Sequence, residues 1–225
     1  MLWNNDNNVL KVAPSILSAD FAHLADEIKH VTDAGMDHIH IEVSDGVFVP
    51  DSDITIGAPV VKSLRKITSA ILGVHLMTID PGRKIESFAT AGADLITFHV
   101  EATTQVQTVI HKIKGAGCRA GIALNPATPL CAIEEVLNDV DVVHLMTAIP
   151  GAAGHLFLTH SLDKIRRLRQ IIREKNYKCL IEVDGGITIE TAKSVRQAGA
   201  NILVAGTAIY DSTDVLASVA MLTGQ

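Results

Sequence analysis

The segment Ala34-Gly35-Met36-Asp37-His38-Ile39 recurs in outline as Ala91-Gly92-Ala93-Asp94-Leu95-Ile96 and as Ala198-Gly199-Ala200-Asn201-Ile202-Leu203. In each copy a helix-like stretch runs up to the glycine, and a β-branched or aliphatic run follows it. Glycine just beyond a helix end takes up the left-handed backbone that closes the helix. The repeated unit is therefore helix, glycine stop, short loop, strand. Its recurrence predicts alternating α and β segments around a parallel sheet.

Outward from these copies, eight strand candidates can be read: Leu10–Leu17, His38–Val43, Ala70–Leu76, Leu95–Val100, Cys118–Leu124, Val140–Met146, Lys178–Val183 and Ile202–Ala205. Helical patterns fill the gaps, among them Asp20–Asp33, Pro81–Ala91, Gln105–Gly115, Ser161–Lys175 and Ile189–Ala198. Eight β/α pairs favour closure into a (β/α)8 TIM barrel. An open doubly wound sheet is the competing architecture, and it is weakened because no G-x-G-x-x-G follows the first strand. The chain has 225 residues, and one such barrel commonly takes about 250. There is no Pro- or Ser-rich linker and no low-complexity tract. A single domain over residues 1–225 is expected, with residues 1–9 as a flexible N-terminal extension.

Hydrophobic residues make up 48% of the chain and aromatics only 4%, so aliphatic side chains must fill the core, as suits buried parallel strands. A net charge of −6 argues against a nucleic-acid partner bound by overall electrostatics. The most basic stretch, Lys164–Arg173, reads as a solvated helix face. Cys118, Cys131 and Cys179 are odd in number and form no C-x-x-C, which speaks against a disulfide framework or a zinc knuckle. The polar start MLWNNDNNVLK lacks the apolar core of a signal peptide, and no apolar run is long enough to span a bilayer. The expectation is a cytoplasmic protein with no membrane partner.

In a barrel the working groups sit at the carboxyl ends of the strands. Ser15, His40, Glu42, His75, His99, Glu101, Asn125 and Asp184 all fall there. His40 and Glu42 are two residues apart in a strand and so share a face. Joined by His75 and Asp184, they offer two imidazoles and two carboxylates, a donor set suited to one divalent ion such as Zn²⁺, Fe²⁺ or Mn²⁺. Taken singly, each histidine could equally be a hydrogen-bonded core residue. Glycines cluster after strands 6, 7 and 8, in Pro150-Gly151-Ala152-Ala153-Gly154, Asp184-Gly185-Gly186 and Ala205-Gly206-Thr207. Barrels of this kind often hold phosphate there on backbone amides.

At these residues the chain resembles the ribulose-phosphate 3-epimerase family, from Val12 to about Tyr210. The motifs that carry the likeness are APSILSADF (13–21), HIEVSDGVFVP (40–50), GVHLM (73–77), HVEAT (99–103), LNPATPL (124–130), EVDGG (182–186) and LVAGTAIY (203–210). The resemblance implies a metal-dependent barrel of the ribulose-phosphate-binding type, an expected homo-oligomer, that inverts C3 of a ketose phosphate. D-Ribulose 5-phosphate, giving D-xylulose 5-phosphate, is the expected substrate. The resemblance also implies His40, Glu42, His75 and Asp184 as metal ligands, with Glu42 and Asp184 as the two bases of an enediolate mechanism. It implies Ser15, His75, Met77, Met146, Gly151, Gly154, Gly185, Gly186, Gly206 and Thr207 as substrate contacts.

The chain departs from the family pattern on the substrate side. Glu42 stands where Asp is usual, Ser44 where Met is usual, and Gly73 where Asp is frequent. The lid segment Ile149–His155 lacks the usual aromatic, one glycine and the glutamine, and there is a short insertion around Asp51–Asp53. These changes keep open another ketose phosphate, such as allulose 6-phosphate or a shorter ketulose phosphate, and a degenerate, non-catalytic barrel. The decarboxylase or aldolase branch of phosphate-binding barrels depends on D-x-K-x-x-D, which is absent.

Overall fold

The structure, a computed structural model, describes residues 10–49, 52–150 and 156–224. The expected N-terminal extension, part of the insertion, and Gly151 and Gly154 lie outside the described residues. Eight strands are present: β1 (Lys11–Pro14), β2 (His38–Ser44), β3 (Ile71–Met77), β4 (Leu95–His99), β5 (Arg119–Leu124), β6 (Val142–Met146), β7 (Leu180–Asp184) and β8 (Ile202–Ala205). All neighbours pair in parallel, in the order β1-β8-β7-β6-β5-β4-β3-β2. The ring is joined between β1 and β2 by a parallel bridge from Ser15 to His40. The barrel therefore closes at two of the residues singled out for chemistry, and the open-sheet alternative is excluded.

The helices are α1 (Leu24–Asp33), α2 (Ala58–Leu64), α3 (Ile85–Ala91), α4 (Val106–Gly115), α5 (Ser161–Glu174), α6 (Ile189–Ala198), α7 (Thr207–Tyr210) and α8 (Val215–Thr223). The repeated glycine does what its position predicts. Gly92 and Gly199 end α3 and α6 at φ +101° and +114°, and Gly35 follows α1 at φ +87°. Two predicted helices begin instead with a short 3₁₀ turn, at Phe21–His23 and Pro81–Arg83. The β5–β6 connection carries only two 3₁₀ turns, Leu130–Ala132 and Glu134–Val136, with no α-helix.

Two apolar compartments result from the strand alternation. The larger lies between the outward faces of the strands and the helices, with Ile39, Ile41, Leu72, Phe98, Ile110, Ile165 and Leu168 fully or nearly fully buried. The smaller is an inner floor of Ala13, Ile71, Leu95, Val142, Leu180, Ile202 and Val204. These residues point into the barrel, and the polar residues stack above them at the carboxyl ends.

The basic stretch on α5 is only partly a solvated face. Lys164 donates to the carbonyls of Asn125, Pro126 and Thr128 at 3.1, 2.6 and 2.7 Å, pinning the loop after β5. Arg169 is buried, donates to the Gly199 carbonyl, and hydrogen-bonds Asn201. Both cations satisfy backbone groups that the helix would otherwise cover unpaired.

Candidate metal centre

Strand register brings distant residues side by side. Glu42 lies beside His75 across β2–β3, and His144 beside Glu182 across β6–β7. Asp184 follows two residues after Glu182 and pairs with Met146, so all of these share the inner face. His40, His75, His144 and Asp184 each present one ligand atom, and these atoms lie within 4.8 Å of one another. Sequence reading groups His40, Glu42, His75 and Asp184; the compact ligand group holds three of these, leaves Glu42 beside it, and includes His144, which the reading missed. The available signal was parity, since His144 stands two residues before Met146 and so points the same way.

The atoms facing this space fit a cation. His40 Nε2, His75 Nδ1 and His144 Nε2 are buried without a hydrogen-bond partner among the described residues. Asp184 Oδ2 lies 3.5 Å from His144 Nε2 and 3.9 Å from His40 Nε2. Two ligands of a tetrahedral ion with bonds of about 2.0–2.1 Å sit about 3.3 Å apart, so these spacings are close to those of a coordination shell. With the His144 ring neutral, three imidazole nitrogens and one carboxylate oxygen converge on one point, a donor set that suits a cation.

Carboxylates stand behind the imidazoles. Glu182, fully buried, accepts from His144 Nδ1 at 2.6 Å and lies 3.6 Å from His40 Nδ1. On the other side, His75 Nε2 meets His99 Nε2 at 2.9 Å, and His99 Nδ1 meets Glu101 Oε2 at 3.1 Å. Glu101 is held in turn by the Asn125 amide at 2.8 Å and by the Thr128 hydroxyl.

Electrostatics follow this layout. Burial pushes the His40 imidazole down to about 4 and the His75 imidazole well below its ordinary value. Burial would also lower His144, but the Asp184 and Glu182 carboxylates outweigh it and hold the imidazole up at about 9. Burial would raise Glu182 and Glu101, yet hydrogen bonds, led by those from His144 and His99 respectively, bring each down to about 2. Glu42 goes the other way. Burial and the neighbouring charge of Asp184 push it up to about 7, against the bond from Ser15 Oγ at 2.7 Å.

The remaining sequence-predicted positions surround this cluster. Met77 and Met146 end β3 and β6 and are buried. Gly185 and Gly186 follow β7 at φ +106° and +67°. Gly185 is pressed against Ala148, where a Cβ would come within 2.6 Å of the backbone nitrogen. Gly206 precedes α7, which Thr207 begins. A hollow of about 540 Å³ lined by Phe48, Asn125, Ile149, Leu158 and His160, among others, opens at this end, and the Phe48 ring lies 4.9 Å from that of His99.

Two of the departures from the family pattern have a structural account. Gly73 leaves room for the buried His38, whose Nε2 a Cβ at 73 would approach to 2.7 Å. Ser44 Oγ accepts from the Gly46 amide at 3.2 Å, and Thr55, just past the insertion, caps the end of β2. Its hydroxyl donates to the Glu42 carbonyl and accepts from the Ser44 amide, at 2.7 and 2.9 Å.

Known proteins resemble the chain in sequence and in fold. The Ribulose-phosphate 3 epimerase family matches residues 11–210. The ribulose-phosphate 3-epimerase of Bacillus subtilis (strain 168) is 48% identical over 217 residues, 96% of this chain and 99% of that protein. The chloroplastic ribulose-5-phosphate-3-epimerase of Arabidopsis thaliana is 46% identical, covering 90% of this chain and 72% of that one. The Escherichia coli (strain K12) ribulose-phosphate 3-epimerase is 43% identical, with 90% of each chain covered. Among solved structures, 3-hexulose-6-phosphate synthase from Salmonella typhimurium superposes with a TM-score of 0.71 at 19% identity, over 96% of this chain and 97% of that one. A mutant tryptophan synthase alpha-subunit from Pyrococcus furiosus does so at 0.68 and 16%, over 96% and 98%. These two share the fold; the sequence relatives share the family as well, and the chain belongs to the ribulose-phosphate 3-epimerase family.

Proposed function

We propose that the protein is a metal-dependent epimerase that interconverts D-ribulose 5-phosphate and D-xylulose 5-phosphate. The observation that carries this reading is one cluster at the carboxyl end of the barrel, in which ligand-ready imidazoles adjoin two carboxylates, Glu42 and Asp184. Identities of 43–48% to ribulose-phosphate 3-epimerases support the substrate.

His40, His75 and Asp184 would hold the ion, since both the sequence pattern and the clustering include them. A bound divalent ion supplies Lewis acidity, stabilising the negative charge that builds on the sugar oxygens. Glu42, raised toward neutrality, is poised to take or return the C3 proton. Asp184 carries out the complementary transfer on the opposite face, and the two exchange roles with the direction of reaction. Ser15 holds the Glu42 carboxylate in place. Met77 and Met146 wall the site against water. Gly185, Gly186, Gly206 and Thr207 supply backbone amides to the phosphate, a role favoured where a short helix follows β8. Gly151 and Gly154 would complete this grip from the lid segment. We assign the active form as a homo-oligomer in the cytoplasm, on the family pattern alone.

The test is incubation of metal-loaded protein in D₂O with a panel of ketose phosphates, followed by NMR. Deuterium should enter C3, with D-ribulose 5-phosphate turned over fastest. Preference for a hexulose or tetrulose phosphate would overturn the substrate, and no exchange with any ketose phosphate would overturn the activity.

A further inference from the structure

We infer that this chain holds its metal with three imidazoles and one carboxylate, His40, His75, His144 and Asp184, and that Glu42 stands outside the coordination shell as a free base. The inference rests on the epimerase reading for the role of Glu42, but the ligand set is argued from geometry alone.

Tautomer logic selects the ligand atoms. His144 donates Nδ1–H to Glu182, so its Nε2 carries a lone pair once the ring is neutral. His40 turns its Nδ1 toward the same Glu182 oxygen, which leaves its Nε2 facing Asp184. One buried carboxylate thus holds the His144 ring by a hydrogen bond and faces the His40 ring as an ion-pair neighbour, and the two rings stack 5.4 Å apart at an interplanar angle of 16°. The third ring is set from the other side. Glu101 accepts Nδ1–H from His99, His99 Nε2 then accepts from His75 Nε2–H, and the His75 lone pair is left on Nδ1. The three atoms so freed, His40 Nε2, His75 Nδ1 and His144 Nε2, are the three buried nitrogens of these rings that lack a partner. Two independent carboxylate anchors converge on the same three lone pairs. Such anchors fix ring orientation and raise ligand basicity at metal sites.

Glu42 behaves differently. It takes no part in the compact ligand group, and one of its oxygens is occupied by Ser15. Replacing a carboxylate by an imidazole in the shell also makes the donor set more nitrogen-rich. That favours Zn²⁺ or Fe²⁺ over the harder, oxygen-seeking Mg²⁺.

The experiment is X-ray absorption spectroscopy on the Zn²⁺-loaded full-length protein, with Zn²⁺ affinity measured by competition against a chromophoric chelator. Three imidazoles are expected around the ion. His144→Asn retains an amide donor near the Nδ1 position for Glu182 but deletes Nε2. It should show two imidazoles and lose on the order of 100-fold in Zn²⁺ affinity, at least the effect of disturbing an outer-shell partner. Glu42→Gln should keep its Zn²⁺ affinity within about threefold while losing C3 exchange. Two imidazoles in the unmodified protein overturn the ligand set, whatever the fate of the variants, and if C3 exchange persists the epimerase reading still stands. An equal affinity loss in Glu42→Gln and His144→Asn overturns the free-base role of Glu42. Three imidazoles without C3 exchange would uphold the ligand set and remove the epimerase reading.

Discussion

Ser15 shows how one hydroxyl can tune a buried carboxylate beside the ligand cluster. Its hydrogen bond is the largest influence favouring the charged form of Glu42, and it opposes burial and the charge of Asp184. A base works only when deprotonated, so kcat/KM should fall as pH drops through the Glu42 pKa. A cation at Asp184 offsets the repulsion and brings the acid limb below the metal-free position of about 7. Ser15→Ala removes the bond that lowers the pKa, so its limb should move to higher pH than in the unmodified enzyme, with both compared in the same metal. A pH–rate profile checks this, and a limb that stays put or moves to lower pH would contradict the assignment of Glu42. Glu42 itself was legible in the sequence, because it sits two residues from His40 and shares its face. His144 was not. In Val142-Val143-His144-Leu145-Met146 a lone histidine among aliphatic residues reads as core, and only the register that sets it beside Glu182 reveals a pair.

At the scale of elements, the loop after β2 is held by Asp45. Its Oδ1 accepts from the Val47 and Phe48 amides at 2.9 Å each, and its Oδ2 from the Ile79 amide beyond β3 at 2.8 Å. Phe48 is thereby placed against His99 at the mouth of the barrel. Partial burial would raise the Asp45 carboxyl, but these three amides together hold it below the ordinary range. A carboxyl depressed in the folded state contributes stability that is present above its unfolded pKa, about 3.9, and is lost as pH falls through the folded value. Asp45→Asn should therefore cost about 1–2 kcal/mol at pH 7, and its deficit should shrink near pH 3. Urea unfolding at the two pH values measures it; an unchanged deficit would mean that the contribution is not that of the charge. The strands were legible for a simple reason: a helix closed by glycine and followed by an aliphatic run has few alternatives. The β5–β6 connection was less so, because Leu130–Val136 carries apolar residues at helical spacing. Pro129 opens its first 3₁₀ turn, and the turns are tightened by bonds of the Ala132 amide to Pro129 and the Ile133 amide to Leu130.

The whole molecule carries a cost that an ion would relieve. The imidazoles of His40, His75 and His144 and the carboxylates of Glu182 and Asp184 are enclosed in a barrel whose floor and outer core are aliphatic. The groups come from β2, β3, β6 and β7, so their mutual repulsion and desolvation act across the barrel axis. Closure at the β1–β2 seam beside His40 is a single bridge from Ser15, not a full ladder. Removing charged or lone-pair groups from water without a partner is among the larger penalties in folding. An ion bound there would link strands on opposite sides of the ring and satisfy all four ligand atoms together. Since the unfolded chain cannot assemble the four, binding adds directly to folding stability. At a free concentration of 100 times Kd the gain is about 2.7 kcal/mol. For a chain of this length each kcal/mol moves Tm by roughly 2–4 °C, so Zn²⁺ should raise Tm by about 5–10 °C over protein treated with a chelator. Differential scanning calorimetry with and without EDTA reads the shift. Mg²⁺ at the same concentration should produce much less, because its preference for oxygen leaves three imidazole nitrogens poorly used. Equal Tm values with Zn²⁺ and with chelator would mean that the cluster is stable as a hydrogen-bonded, metal-free core, and that the convergence of lone pairs on one point has another cause.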